Sequence, residues 1–194
     1  IKRINLNDDG KGDLDCGPLT WKKILKFSDE TNDLWEKSKN DYEVIVERKS
    51  DFLNWRYLER PDVTYYAYGA FNGDMLEGYC VLKLYKEGQT LRGHFIDLFT
   101  SIDNRSCGSV LIRQGLQFFK EMQANEVTLW MQGCPFMRDL LHEHEFSEGG
   151  ISRGGWPDST RPMVCRFNIE KEKYQALLVE KDWYFTMGDT LEIY

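Results

Sequence analysis

The stretch LRGHFIDLFTSIDNRSCGSVLIRQGLQFFKEM, residues 91–122, decides how the rest of the chain is arranged. It reads as a strand over Leu91–Thr100, a polar loop over Ser101–Gly108 and an amphipathic helix from about Ser109 to Met122. The helix shows an apolar stripe at positions 111, 112, 116, 118, 119 and 122. A strand that runs through a glycine-bearing loop into a helix presents unpaired backbone N–H groups to a phosphate or another anion. Any chemistry in this chain is expected around that turn.

Reading outward, Glu126–Gln132 (EVTLWMQ) is β-rich, so strand, helix and strand form a crossover whose two strands are parallel. Gly133-Cys134-Pro135 is a second strand-to-helix turn with proline at the first helical position, leading into PFMRDLLHEHEF. Residues 147–161 read as a polar loop. Met163–Ile169 reads as a strand, Lys171–Leu178 as a helix, and WYFTMGDTLEIY closes the chain. Upstream, Val63–Phe71 and Glu77–Tyr85 flank a hairpin signal at Asn72-Gly73. A turn at Lys86–Gln89 then makes Leu91–Thr100 the third strand of an antiparallel meander. Ser50-Asp51 starts a short helix that Pro61 ends, and Tyr42–Glu47 is a strand or an extended connection. Ser28-Asp29-Glu30 opens a helix to about Lys39. Residues 1–20 read as an edge strand followed by a linker, and 21–194 as one α/β (α+β) domain with a mixed, twisted sheet.

The 194 residues suit one substantial domain, and 41% hydrophobic with 29% charged residues is ordinary for a globular protein. A net charge of −7 without a basic stripe argues against nucleic acid as partner. The five cysteines are scattered and form no Cys-x-x-Cys pair, which suits reduced thiols in the cytoplasm better than a disulfide framework. No apolar run approaches the roughly 20 residues of a membrane span. His142, His144 and Cys134 make a poor metal site, because residues two apart on a helix point to different sides, so no metal is expected. The chain begins at Ile1 and not at Met, and an upstream segment is expected.

The order helix, helix, antiparallel meander, crossover helix, parallel strand, helix, strand resembles the acyl-CoA N-acyltransferase (GNAT) fold. FLNWRYLERP, YYAYGAFNG, GYCVLK, the strand ending in IDLFT and the terminal YFTMGD are similar to a bacterial GNAT-like branch. Its members often sit among polysaccharide-biosynthesis proteins and can carry two such domains in tandem. The resemblance spans roughly 27–146, with the tail as a second anchor.

The resemblance implies acetyl-CoA as co-substrate. Its pyrophosphate is held at a loop of pattern (Q/R)-x-x-G-x-(G/A), which falls on Arg105, Gly108, Ser109 and Val110, with β-branched Val110 in the final small position. It implies that backbone N–H groups of Leu98, Phe99 or Thr100 bond the thioester carbonyl, and that Asp97 is the base. Strand alternation places Asp97 on the side of Phe95 and Phe99. A structural Asp97, satisfied by backbone donors or by Arg92, is the competing reading. The acidic tyrosine of the family is Leu141 here, and its customary glycine is Glu145; His142 and His144 stand nearby. Trp55 and Tyr57 fall where relatives shape the acceptor side, though aromatics on such a helix also serve as core anchors. Trp156 and Arg161 either contact an anionic acceptor or belong to a solvated loop.

Two functions stand open on this reading. One is transfer of an acetyl group from acetyl-CoA to the amine of a small molecule, such as an amino sugar or another cell-envelope precursor. The other is a non-catalytic GNAT-like module for acceptor binding or structure, the C-terminal half of a tandem protein. The partners expected are the acceptor amine and an upstream GNAT-like domain or a second copy. Aminoacyl transfer from tRNA, which the resemblance also implies for some tandem relatives, conflicts with the acidic balance.

Overall fold

The computed structural model describes residues 2–5, 18–133, 135–148 and 183–189. In chain order they form β1 (Lys2–Asn5), β2 (Thr20–Ile24), α1 (Asp29–Ser38) with a 3-10 turn over Lys39–Asp41, and β3 (Val44–Ile45). Next come α2 (Ser50–Leu53), running on as a π-helical turn over Asn54–Leu58, then β4 (Tyr66–Asn72), β5 (Met75–Glu87) and β6 (Thr90–Thr100). α3 (Arg105–Glu121), β7 (Glu126–Leu129), β8 (Met131–Gly133), α4 (Pro135–Glu143) and β9 (Ser147–Glu148) follow. β10 (Trp183–Thr186) and a 3-10 turn over Met187–Asp189 complete them. The strand expected at 163–169 and the helix expected at 171–178 lie outside the described residues.

The meander is present. β4, β5 and β6 pair antiparallel through two tight turns, with Gly73 and Gly88 at φ 62° and 60°. That is the left-handed region which glycine occupies without a Cβ penalty. The first turn is centred on Gly73-Asp74, one residue beyond the Asn72-Gly73 signal, because Asn72 still pairs with Met75.

The crossover is present as well. β6 and β7 are parallel, with Arg92–Phe95 opposite Glu126–Leu129. Among the described residues the resulting sheet has seven strands, in the order β2-β4-β5-β6-β7-β1-β9. β1 is therefore not the edge that its short alternation suggested; it pairs with β7 on one side and β9 on the other. The outer strand at the far side is β2, which starts where the linker was expected to end. The strand expected over Glu126–Gln132 is two strands. The chain leaves the first sheet at Trp130, and β8 joins a second sheet of order β3-β10-β8.

A register shift in β6 sets the geometry of everything below. Leu82 faces Phe95, but Val81 faces Asp97, so Ile96 is the extra residue of a bulge. The bulge turns Phe95 and Asp97 to opposite faces, where simple alternation had placed them together. Phe95 packs on Phe119 of α3 and on Phe146, with centroids 5.5 and 6.3 Å away. Phe99 packs on Trp35 of α1 and on Tyr79 across the other face. One face of the sheet thus carries α3, with Val110, Leu111, Ile112 and Phe119 buried. The other carries α1 and α2, with Phe27, Leu34, Trp35, Leu53 and Tyr57 buried. Asn54 ties α2 to this layer by exchanging two 2.8 Å hydrogen bonds with the backbone of Phe27.

Candidate functional site

The turn from β6 into α3 is tighter than its sequence suggests. Asn104 caps the helix, its Oδ1 accepting from Cys107 N at 3.1 Å, and α3 begins at Arg105 and not near Ser109. Arg105 to Gly108, expected in the loop, are therefore helical, as Ser109 and Val110 were expected to be. A Cβ at Gly108 would meet Leu140 Cδ2 at 2.6 Å, so this glycine permits close packing of α3 on α4. Val110 is buried in the core. Ser109 Oγ lies 2.8 Å from His144 Nε2, and Arg105 pairs with Glu143 at the end of α4.

The anion at this turn is supplied by the chain itself. Ile102 N–H and Ser101 Oγ donate to the Asp41 carboxylate at 3.1 and 3.3 Å, and Asn104 Nδ2 donates to Glu77 Oε2 at 3.0 Å. A carboxylate satisfies exposed backbone donors by the same electrostatics that would draw a phosphate.

Asp97 lies on the other side of the bulge in a fully buried polar cluster. Tyr79 Oη donates to its Oδ2 at 2.9 Å and Tyr57 Oη at 3.4 Å, while Thr186 Oγ1 donates to its Oδ1 at 3.1 Å. Arg48 Nε forms an ion pair with Asp97 Oδ2 at 3.4 Å, and Arg48 Nη2 bonds Asp189 Oδ2 at 2.7 Å. The three charged side chains are 0%, 1% and 1% exposed. The cationic partner is thus Arg48, whereas Arg92 pairs with Glu126 and Glu87 elsewhere. Arg48 also donates to Val46 O at 2.7 Å and lies 4.9 Å from the Tyr184 ring centroid. Asp97 and Asp189 together hold its guanidinium charged despite the burial. Burial, with Asp97 adding to it, pushes the Tyr57 and Tyr79 hydroxyls well above the usual phenol range, so both stay protonated. Burial also lifts the Asp189 carboxyl above its ordinary value, against the pull of Arg48.

The cleft beside this cluster is formed by strands that part. β6 and β7 pair through only four residues, and beyond Phe95 the chain continues without β7 alongside. Leu98 N–H donates to the carboxylate of its neighbour Asp97 at 3.1 Å. β10 fills the gap: it pairs antiparallel with β8 over Tyr184–Thr186 and parallel with β3 over Trp183–Tyr184. Its Tyr184 ring meets Phe99 edge-on at 5.8 Å and Tyr42 at 4.6 Å. The following turn presses on β6, where a Cβ at Gly188 would stand 1.9 Å from Tyr57 Oη and 3.3 Å from Ile96 O. Arg56 Nε donates to Gly188 O at 3.0 Å.

The structure therefore brings Asp97, Leu98, Phe99 and Tyr57 together and separates them from Arg105, Ser109 and Val110, which lie around the helix start. Thr100 donates its hydroxyl to Glu77 O at 2.8 Å. Trp55 parts from Tyr57: it is 63% exposed against Phe52, whereas Tyr57 is 2% exposed beside Asp97. Leu141, where the resemblance would put an acidic tyrosine, is buried in the core. A pocket of about 460 Å³, lined by Trp35, Lys39, Asn40, Tyr42, Glu43 and Ile45, opens next to Asp41 and Tyr42. Sequence reasoning missed Arg48, Tyr79, Thr186 and Asp189. Tyr79 had a signal through the quoted GYCVLK, and Thr186 and Asp189 through YFTMGD; Arg48 had none.

Elsewhere two thiols are buried and His94 is half-buried. Burial pushes the Cys107 thiol up to about 12 and the Cys80 thiol well above its usual value, so neither is a ready nucleophile. His94, stacked on Tyr85 and bonded to Thr128, has its pKa lowered to about 4 by burial, with Lys83 and Arg92 adding to the shift. A histidine near 6.5 when unfolded and near 4 when folded contributes stability that is complete above pH 6.5 and is lost as pH falls towards 4. His94→Gln is expected to remove up to about 3 kcal/mol of that acid sensitivity. Urea unfolding at pH 7 and pH 4.5 measures it, and equal acid sensitivity in both proteins contradicts it.

Among the described residues no three histidine, cysteine or acidic side chains converge on a metal site, and no helix is long and apolar enough to cross a membrane. No protein-family model matches the chain, and a comparison with curated proteins finds no match. Solved structures do match. One is an aminoglycoside acetyltransferase from an uncultured soil metagenomic sample, in complex with trehalose; another is the same enzyme in complex with sisomicin. Each is 15% identical, with 79% of this chain and 97% of that chain covered and a TM-score of 0.45.

Proposed function

We propose that the domain is a GNAT-type N-acyltransferase that moves an acetyl group from acetyl-CoA to the amine of a small molecule. One observation carries the reading: β6 runs parallel to β7 for four residues, bulges at Ile96 and parts from it, with a carboxylate at the bulge and a capped helix at its end. Such a parted strand offers unpaired amides to a thioester, and the helix start offers donors to a phosphate. In this reading Leu98 N–H, released from Asp97, polarises the carbonyl, with Phe99 and Thr100 continuing that edge. Asp97 takes the proton that the attacking amine loses, relayed by the Tyr57 or Tyr79 hydroxyl that already bonds it. The amine nitrogen forms the new bond to the carbonyl carbon as the carbon–sulfur bond breaks, and the thiolate leaves and takes its proton from water. Arg105 and Ser109 hold the pyrophosphate at the surface of α3, while Gly108 and Val110 support it through packing. The pocket beside Tyr42 and Glu43 receives the acceptor, and Trp55, exposed on the π-helical turn after α2, lies outside it.

A second reading, a non-catalytic module for acceptor binding, is favoured by β10 standing in the parted cleft and by Asp41 at the anion turn. Release of free thiol from acetyl-CoA in the presence of a panel of amino sugars separates the two. The enzyme reading expects turnover that Asp97→Asn lowers at least tenfold in kcat with little change in KM for acetyl-CoA. Absence of thiol release with every amine, together with no acetyl-CoA binding at millimolar concentration, supports the module.

A further inference from the structure

The second sheet is small, and β10 is its centre. Five register pairs hold β10, two to β3 and three to β8, and these bonds are made by backbone groups without regard to side chain. Its end is fastened by Thr186 on Asp97, by Asp189 on Arg48 and by Gly188 O on Arg56. Each of these fasteners is a side-chain contact to a segment distant in sequence; Asp189 and Arg48 are 141 positions apart. No described local structure therefore holds β10 in place apart from the Thr186–Asp189 turn contacts.

We infer that β10 with the turn behind it is a displaceable strap that closes the acyl-CoA cleft by standing in for the extended, amide-bearing arm of the co-substrate. This deepens the acyltransferase reading and rests on it. A linear chain with two amides, such as the pantetheine arm, can pair with a parted strand edge in the way an added strand does. When β10 occupies that edge, the arm has nowhere to lie. When β10 leaves, the edge of β8 and the Leu98 amide become available together, and Asp97 loses the Thr186 donor that seals it on one side. Two carboxylates thus share Arg48 only in the closed state, where Asp189 and Asp97 both lie against its guanidinium. The strap is thus a built-in brake on the same site.

The test ties the strap down reversibly. Phe185 and Gln132 are direct partners across β10 and β8, a spacing that a disulfide bridges. Phe185→Cys with Gln132→Cys is made in a chain whose Cys16, Cys134 and Cys165 are serine, and acetyl-CoA binding is titrated with and without reductant. The strap predicts binding at least tenfold tighter in the reduced form, and at least threefold tighter than wild type in a separate Asp189→Asn variant. Equal affinity in the oxidised and reduced forms overturns the strap while leaving acyl-CoA binding intact. No binding in any of these proteins at millimolar acetyl-CoA overturns the acyltransferase reading, and the strap with it.

Discussion

Arg48→Met is expected to lower the free energy of unfolding by about 3–5 kcal/mol, a large part of the stability of a single domain. The size follows from what remains behind. Methionine fills most of the volume, but Asp97 and Asp189 then face each other in a dry interior with no cation between them. Tyr57, Tyr79 and Thr186 still donate to Asp97, which limits the loss but does not supply charge. Breaking such a cluster costs more than the pair contributed, because an uncompensated charge is left buried. Adding Asp189→Asn to Arg48→Met is expected to recover part of the loss, since one of the two stranded charges is gone. Urea titrations followed by tryptophan fluorescence give both values. A fall below 1 kcal/mol for Arg48→Met, or strictly additive effects in the double variant, would show that the three groups do not act as a unit.

The second large effect is steric. Gly188→Ala places a methyl group 1.9 Å from Tyr57 Oη and 3.0 Å from its Cζ, with Ile96 O 3.3 Å away on the other side. The ring is fully buried against Tyr65 and cannot swing into solvent, so either the ring or the turn must shift. Overpacking of this kind costs about 1–3 kcal/mol, which for a chain of this length lowers Tm by roughly 2–12 °C. Tyr57→Phe in the same chain removes the nearest atom and should return part of the loss. Absence of any rescue would mean that the turn, and not Tyr57, yields to the methyl group.

The parts of the fold that were legible in the sequence are those governed by local rules. The three meander strands, the amphipathic α3 and the parallel return to β7 follow from alternation, a helical stripe and a turn glycine. What was not legible depends on contacts far apart in sequence. The bulge at Ile96 leaves no mark in IDLFT, yet it reverses which face Asp97 shares. The break at Trp130 divides a run that looks like one strand, because β10 captures its second half from some fifty residues away. At the helix start, Asn104 was available as a cap, and the glycine at 108 drew the loop boundary too far. Arg48 lies just beyond the Tyr42–Glu47 run, and nothing in its own segment marks it as buried; only the tail that meets it explains its burial. In each case a residue type was visible and its partner was not.

The central claim is that the parted edge of β6 and the start of α3 form one acyl-CoA site. Amide hydrogen exchange of the whole chain, with and without 1 mM acetyl-CoA, tests it most directly. The account predicts slowed exchange over 97–106 together with faster exchange in 183–189, as the strap gives way to the co-substrate. Unchanged exchange in both segments contradicts it.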